Sequence, residues 1–390
     1  MRRLLQWAFG RIPIGWLQLT HKRGRFMAAL AGVAFANVLV FVQLGIMNSM
    51  ATATLRPYEF FQADIMISSA DANALSEGAN VARQWMLQAL ADPDVAAGTG
   101  LFVGNTPWDR EDRDISFTTF GIDPGQAGFL SPAISDDVAL LQVQDVAILD
   151  RMARGLSRED AAAIRPQTPL SFETQGRTLT ALDTFAGGGG FGGDGYMLVS
   201  DQTFLSLFPA RSSAAPDHIL LKLRAGTEVD TVVARLHSLI SDETLRIRTY
   251  AEAAQEDLRY QQTRRPTGVI FGFGVLIGVL VGLVIVYQVL SADVADHMRE
   301  YATFKAMGYG PSLFMSIVVE EALVLGVLGF VPGLAVGIGI LTLMGKVTTL
   351  PLAMTPVMAG IVFLGTVFFS ILSGVIATRR LAAADPADLF

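Results

Sequence analysis

Four long apolar runs organise this chain, one near its start and three in its last third, at residues 26–46, 269–290, 313–344 and 357–378. About 20 helical residues cross a hydrocarbon core of ~30 Å, so each run predicts a transmembrane helix. The predicted layout is a basic segment at 1–25, a first span at 26–47 and a large domain at 48–265. A second span at 267–291, a short loop at 292–312, a third span at 313–344, a fourth at 356–378 and a tail at 379–390 complete it.

Between Asn48 and Arg265 the pattern breaks into shorter elements. Strands are predicted at 64–68, 101–103, 115–122, 168–173, 178–182, 196–199 and 219–223, several bounded by turn signals such as Asp123-Pro124-Gly125. Helices are predicted at 79–90, with Val81, Trp85, Leu87 and Leu90 on one side, at 146–152, and at 228–240. This alternation predicts an α+β domain, as one body or as two subdomains of about 100 residues each. The fold class is therefore a membrane protein of four transmembrane α-helices in a 1 + 3 arrangement, with the α+β domain inserted between the first and second. Residues 250–265 read either as a helical stalk continuing the second span or as a linker, with Pro266 as the visible interruption. The short loop holds one predicted helix, 293–307, ended by Gly308.

Charge sets the orientation. Arg2, Arg3, Arg11, Lys22, Arg23 and Arg25 precede the first span with no acidic residue among them, whereas residues 48–265 carry 18 Lys and Arg against 29 Asp and Glu. The positive-inside rule keeps the basic segment and both chain ends cytoplasmic and places the large domain across the membrane. Arg264-Arg265 and Arg379-Arg380 pull in opposite senses, and long domains translocate largely regardless of charge. The first run exceeds a signal-peptide core and reads as an uncleaved signal anchor. Residues 4–19 predict a short amphipathic helix on the inner membrane surface, interrupted by Pro13. The whole chain is 51% hydrophobic and 17% charged, with mean hydropathy +0.44, between a globule and an all-membrane bundle.

The sequence holds little catalytic chemistry. With no cysteine there is no disulfide, thiolate metal site or Cys nucleophile. No G-x-x-x-x-G-K-[ST], G-x-S-x-G or H-E-x-x-H occurs, so ATP chemistry of the phosphate-loop kind must come from another subunit. The glycines at 187–190, 192, 193 and 195 precede a strand and lack the lysine of a phosphate loop, and read as a flexible surface hairpin or a partner-contacting tip. Asp109–Asp114 is a mixed charge run, a solvated loop without EF-hand spacing. His218 and His237 are isolated, and Ser200, Asp201 and Asp217 form no recognisable hydrolase pattern. No cofactor and no nucleic acid is implied.

Two candidate sites lie in the membrane half. Asp296, Arg299, Glu300, Tyr301, Phe304, Lys305, Met307 and Gly308 mix charges with apolar knobs that are costly to leave exposed together, which favours a docking helix for a cytoplasmic partner over a solvated connector. Glu320 and Glu321 sit roughly 10–12 Å into the third span by helical rise. An ion site, a structural pair with a neighbouring helix or headgroup, and a place in a coupling path all fit them. Gly326, Gly329, Gly333 and Gly337 then permit close helix contact, with Pro332 predicting a kink.

The run Arg299-Glu300, then Lys305-Ala306-Met307-Gly308, resembles the coupling segment of the MacB/FtsX-type permeases, although Arg and Glu are adjacent here. Glu321-Ala322 with Leu325-Gly326, Gly329, Gly333 and Gly337 is similar to the same family, as is the closing Arg379-Arg380 with Asp385-Pro386-Ala387-Asp388-Leu389. The N-terminal stretch from Gly15-Trp16-Leu17 through Phe41-Val42-Gln43-Leu44-Gly45 resembles the DevC subgroup, which lacks a fused ATPase. The resemblance covers the membrane half and both ends, and in the large domain rests on layout. It implies a non-enzymatic permease subunit of an ABC exporter working by mechanotransmission in the bacterial inner membrane. Its implied partners are two copies of a cytoplasmic ATPase, a second copy of this chain, membrane lipids, a periplasmic adaptor and an outer-membrane duct, with lipid-like or amphiphilic cargo. The rival reading is an FtsX-like regulator that activates periplasmic cell-wall hydrolases.

Overall fold

The computed structural model describes residues 14–108, 114–190, 192–298, 300, 303, 307–348 and 350–382. The chain divides into a membrane unit (1–48, 269–347 and 352–390) and an external unit (49–268 with 348–351).

Helices α1 (Ile14–His21) and α2 (Arg23–Leu55) come first, and α9 (Pro266–Asp296), α10 (Pro311–Thr348) and α11 (Pro356–Ala382) come last. Four of these, α2, α9, α10 and α11, are long and apolar enough to cross a membrane. Their packing follows from small residues at helical spacing. A Cβ at Gly329 would stand 2.6 Å from Val33 Cγ1, one at Gly333 2.9 Å from Asn37 Cβ and one at Gly337 3.1 Å from the Phe41 ring. Every fourth residue of α10 thus meets every fourth residue of α2 at backbone distance, the contact small residues allow where apolar burial gives no preference over lipid. Gly326 faces Ser370 of α11 instead. Polar bonds add to the packing: Thr366 Oγ1 donates to Asn37 Oδ1 (2.6 Å) and Ser373 Oγ to the Leu283 carbonyl (3.0 Å). Helix α10 is continuous through Pro332. Ile270, Phe273 and Ile277 of α9 and Ile361, Leu364 and Phe368 of α11 are exposed, an arrangement that hydrocarbon tolerates and water does not.

The external unit is built on one nine-stranded mixed sheet in the order β5-β6-β4-β7-β3-β2-β8-β1-β9. The strands are β1 (Ile65–Ser69), β2 (Val95–Trp108), β3 (Ile115–Ile122), β4 (Val146–Asp150), β5 (Leu170–Thr174), β6 (Arg177–Phe185), β7 (Gly195–Ser200), β8 (His218–Leu223) and β9 (Leu245–Thr249). Pairs β3·β7 and β4·β6 are parallel and the others antiparallel. Short helices α3 (Gln84–Ala89), α4 (Pro132–Ser135), α5 (Arg158–Ala163), α6 (Asp201–Leu207), α7 (Val229–Leu239) and α8 (Tyr250–Thr263) accompany them. Alternate residues of the central strands fill cores on opposite faces. Phe120, Tyr196 and Leu198 enter a core with Phe60 and Phe61, while Phe117, Met197 and Val199 join Phe102 and Phe204. Both faces being covered, these strands read as continuous apolar runs.

The domain is entered through β1 and left through its neighbour β9, which pair antiparallel from Ile65↔Thr249 to Ser69↔Leu245. Thr249 and Glu252 form a capping box that starts α8 immediately after β9. Asp257 of α8 then accepts from the Leu75 N–H (3.0 Å), the Tyr58 hydroxyl (3.2 Å) and Gln261 (3.2 Å), fastening the exit helix to the entry segment.

Several expectations are corrected. Residues 146–150 are the interior strand β4, not a helix: the run Val146-Ala147-Ile148-Leu149 is buried between β6 and β7, and a short apolar run does not distinguish a buried strand from a buried helix. The helix expected at 79–90 is only α3; Leu87 and Leu90 are exposed, and Val81 is buried before the helix begins. Residues 250–263 are helical, but α8 stops before Pro266 and α9 starts afresh there. Asp293–Asp296 are the last turn of the second-span helix rather than the start of a separate one. The charge run at 109–113 and the segments 1–13 and 383–390 lie outside the described residues. Strand β9 and helix α6 were not anticipated.

Candidate functional site

The loop between the second and third spans is the candidate site, and its root is fixed by charge. Asp296 closes α9 and accepts from Lys22 (2.9 Å) and Arg25 (2.6 Å), the residues on either side of the junction between α1 and α2. Arg25 also donates to the Val289 carbonyl of α9 (3.4 Å), and Gln18 Nε2 donates to Glu300 Oε2 (3.3 Å). Met307 is exposed, and Gly308 adopts φ +92°, a left-handed conformation suited to ending a helix. Arg299, Tyr301, Phe304 and Lys305 lie outside the described residues.

Glu320 and Glu321 are both fully buried. Glu320 Oε1 accepts the backbone N–H of Trp16 at 3.1 Å. The Glu321 carboxyl faces that of Asp293, which in turn lies 3.4 Å from His297 Nδ1. The structure therefore brings Asp293, Asp296, Glu320 and Glu321 to the same end of the membrane unit, against α1 and the start of α2.

The FtsX-like permease C-terminal family model matches residues 272–386, which contain the second span's greater part, the loop, and the third and fourth spans. The chain is 26% identical over 126 residues to the macrolide export ATP-binding/permease protein MacB of Hyphomonas neptunium. Both likenesses lie in the membrane half of the chain or a fraction of its length, and each is a similarity to a permease of the MacB/FtsX kind. The match to MacB covers 32% of this chain and 19% of the relative's length. Solved structures similar to this chain include the extracellular domain of the noncanonic ABC-type transporter YknZ from Gram-positive bacteria. That likeness has 10% identity and TM-score 0.34, and covers 48% of this chain and 98% of that one. The periplasmic region of MacB from Actinobacillus actinomycetemcomitans is similar at 13% identity and TM-score 0.35, covering 50% and 93%. Among the described residues four helices are long and apolar enough to cross a membrane, and the large domain lies between the first two of them.

The glycine run is not a surface hairpin. Gly187, Gly189 and Gly190 are buried, and the segment is tied down at both ends. The buried carboxylate of Asp150 accepts from the N–H groups of Gly187 (2.9 Å) and Gly188 (2.7 Å), and burial raises its pKa above the ordinary carboxylate range. Arg154 donates to the carbonyls of Gly190 and Gly193 and pairs with Asp194 at 3.2 Å. This strap, with Met50, Phe120, Tyr196, Asp257 and Arg265, lines a cavity of about 250 Å³ within the external unit.

The other singled-out polar residues have structural partners. Ser200 caps α6, and Asp217 accepts the Val103 N–H and pairs with Arg211. His218 and His237 each contact a backbone carbonyl, of Leu75 and Ile247, at 2.8 Å. What the sequence reading missed is α1 as a packed element: it expected a helix on the membrane surface. The available signal was Lys22 and Arg25, which balance Asp296 at the end of an adjacent helix.

Proposed function

We propose that this chain is the membrane subunit of an ABC exporter that works by mechanotransmission. A separate cytoplasmic ATPase binds the segment 296–308, and its closure pushes the root of that segment. The spans carry the motion to the periplasmic domain. The observation that carries this reading is the joint between the loop and the first span. Asp296, at the end of α9, is held by Lys22 and Arg25 at the start of α2 (Arg23–Leu55). A helix of 33 residues is about 50 Å long at 1.5 Å per residue, longer than a bilayer core.

The working unit in this proposal is a homodimer with two ATPase subunits, because four spans do not enclose a substrate path. A DevC-like role adds a periplasmic adaptor and an outer-membrane duct, with lipid-like or amphiphilic cargo. The exposed apolar flanks of α9 and α11 support contact with lipid or a second copy. The absence of a phosphate loop supports a partner as the source of ATP hydrolysis.

The test is affinity co-purification of the full chain with a cytoplasmic ABC ATPase from the same cell. Wild type retains the ATPase, and Phe304→Asp or Lys305→Glu releases it. Retention by both variants would remove the docking assignment. A wild-type chain that binds a cell-wall hydrolase or its activator, with no effect on export, would favour the FtsX-like regulator.

A further inference from the structure

We propose that helix α1 is a working part of the coupling apparatus, a clasp that ties the root of the coupling segment and the third span to the first span. The inference rests on the mechanotransmission reading and adds residues that the coupling segment itself does not contain.

Helix α1 has a buried attachment and an exposed one. At the buried end it meets α10 at backbone distance: a Cβ on Gly15 would lie 2.8 Å from Glu321 Cγ and 2.9 Å from the Ile317 carbonyl oxygen. The next residue, Trp16, gives its backbone N–H to the fully buried Glu320 carboxyl at 3.1 Å, a hydrogen bond in an apolar setting. Leu19 is buried with Val286, Val294, Phe314 and Ile317, and the Trp16 ring meets Phe26 edge-on at 6.2 Å. A helix lying on a lipid surface would turn its apolar side outward; this one turns it into the bundle.

At the exposed end, Gln18 reaches Glu300 and Lys22 shares Asp296 with Arg25. The Lys22 and Asp296 side chains are 58% and 41% exposed, and ion pairs so open to water contribute little to stability. Their value is positional. They are weak enough to break and re-form during a cycle, while Gly15 and Trp16 stay fixed on α10. A push on Asp296 and Glu300 is then shared between α2 and α10 through α1, rather than taken by the end of α9 alone.

The experiment uses the full chain reconstituted with its ATPase in lipid nanodiscs. It compares wild type, Asp296→Lys, the pair Lys22→Glu with Arg25→Glu, and the combined charge exchange. ATPase retention and the rate of ATP hydrolysis by the complex are measured for each. The pair Lys22→Glu with Arg25→Glu is expected to retain the ATPase, and both one-sided variants to lose hydrolysis at least about five-fold, the low end of ordinary coupling. The combined exchange restores it to within about two-fold of wild type. Gly15→Val keeps every charge and is expected to show the same loss with the ATPase still bound. Wild-type hydrolysis in both one-sided variants, or no recovery in the combined exchange, overturns the clasp. A wild-type chain that retains no ATPase instead sinks the mechanotransmission reading on which it stands.

Discussion

Glu321 is fully buried with its carboxyl against that of Asp293. Glu321→Gln supplies an amide N–H to Asp293 at nearly the same shape, and is expected to raise the Tm of the purified protein. Glu321→Leu leaves Asp293 facing an apolar group and is expected to lower it; the reverse order would show that the two carboxyls are not in contact. Asp257 offers a pH test in the external unit. Burial is the largest influence on its carboxyl and raises its pKa, so the native state binds that proton more tightly than the unfolded chain. Its contribution is therefore fully present below the ordinary carboxylate value and is lost as pH rises through the raised one. Asp257→Asn should gain stability relative to wild type between about pH 4 and neutrality. Thermal unfolding of both proteins across that range checks it, and a constant difference would contradict it.

Single elements carry the next two expectations. The stripe Gly329, Gly333 and Gly337 lets α10 approach α2, and Gly333 already lies within 3.0 Å, from its would-be Cβ, of the Ala34 carbonyl oxygen. Gly333→Leu forces those backbones apart and is expected to cost about 1–3 kcal/mol, as overpacking does elsewhere. Gly339, which has open space around it, should accept the same change with little effect. Detergent-stability curves of the two variants measure the difference. In the external unit, Asp150→Ala removes the acceptor of the Gly187 and Gly188 N–H groups and of the Met152 N–H. Each N–H left without a partner costs about 1–3 kcal/mol, so the strap from Gly187 to Gly193 should become protease-sensitive before the sheet unfolds. Cleavage that begins elsewhere would show that Asp150 does not hold it.

At the scale of the whole molecule, the natural absence of cysteine makes single-cysteine mapping direct. A cysteine at Met152, exposed on the external unit, should react with a membrane-impermeant maleimide in intact spheroplasts, and one at Met307 should react only after permeabilisation. The 1 + 3 division and the mixed α+β character of the domain were legible because each rests on local sequence: apolar length and element alternation. The run 146–150 was misread because burial on both faces erases the two-residue period, and only its neighbours β6 and β7 define it as a strand. The glycine run looked like a mobile hairpin because its restraints, Asp150 and Arg154, sit more than thirty residues earlier. Helix α1 looked like a surface helix because Glu320 is 304 residues away from Trp16. Hydrophobic length alone, then, determined how often this chain meets the bilayer, since transfer from water to hydrocarbon is a property of each segment. Which carboxylate receives which N–H, and which glycine meets which side chain, depends on contacts between distant segments, and only the tertiary structure decided them.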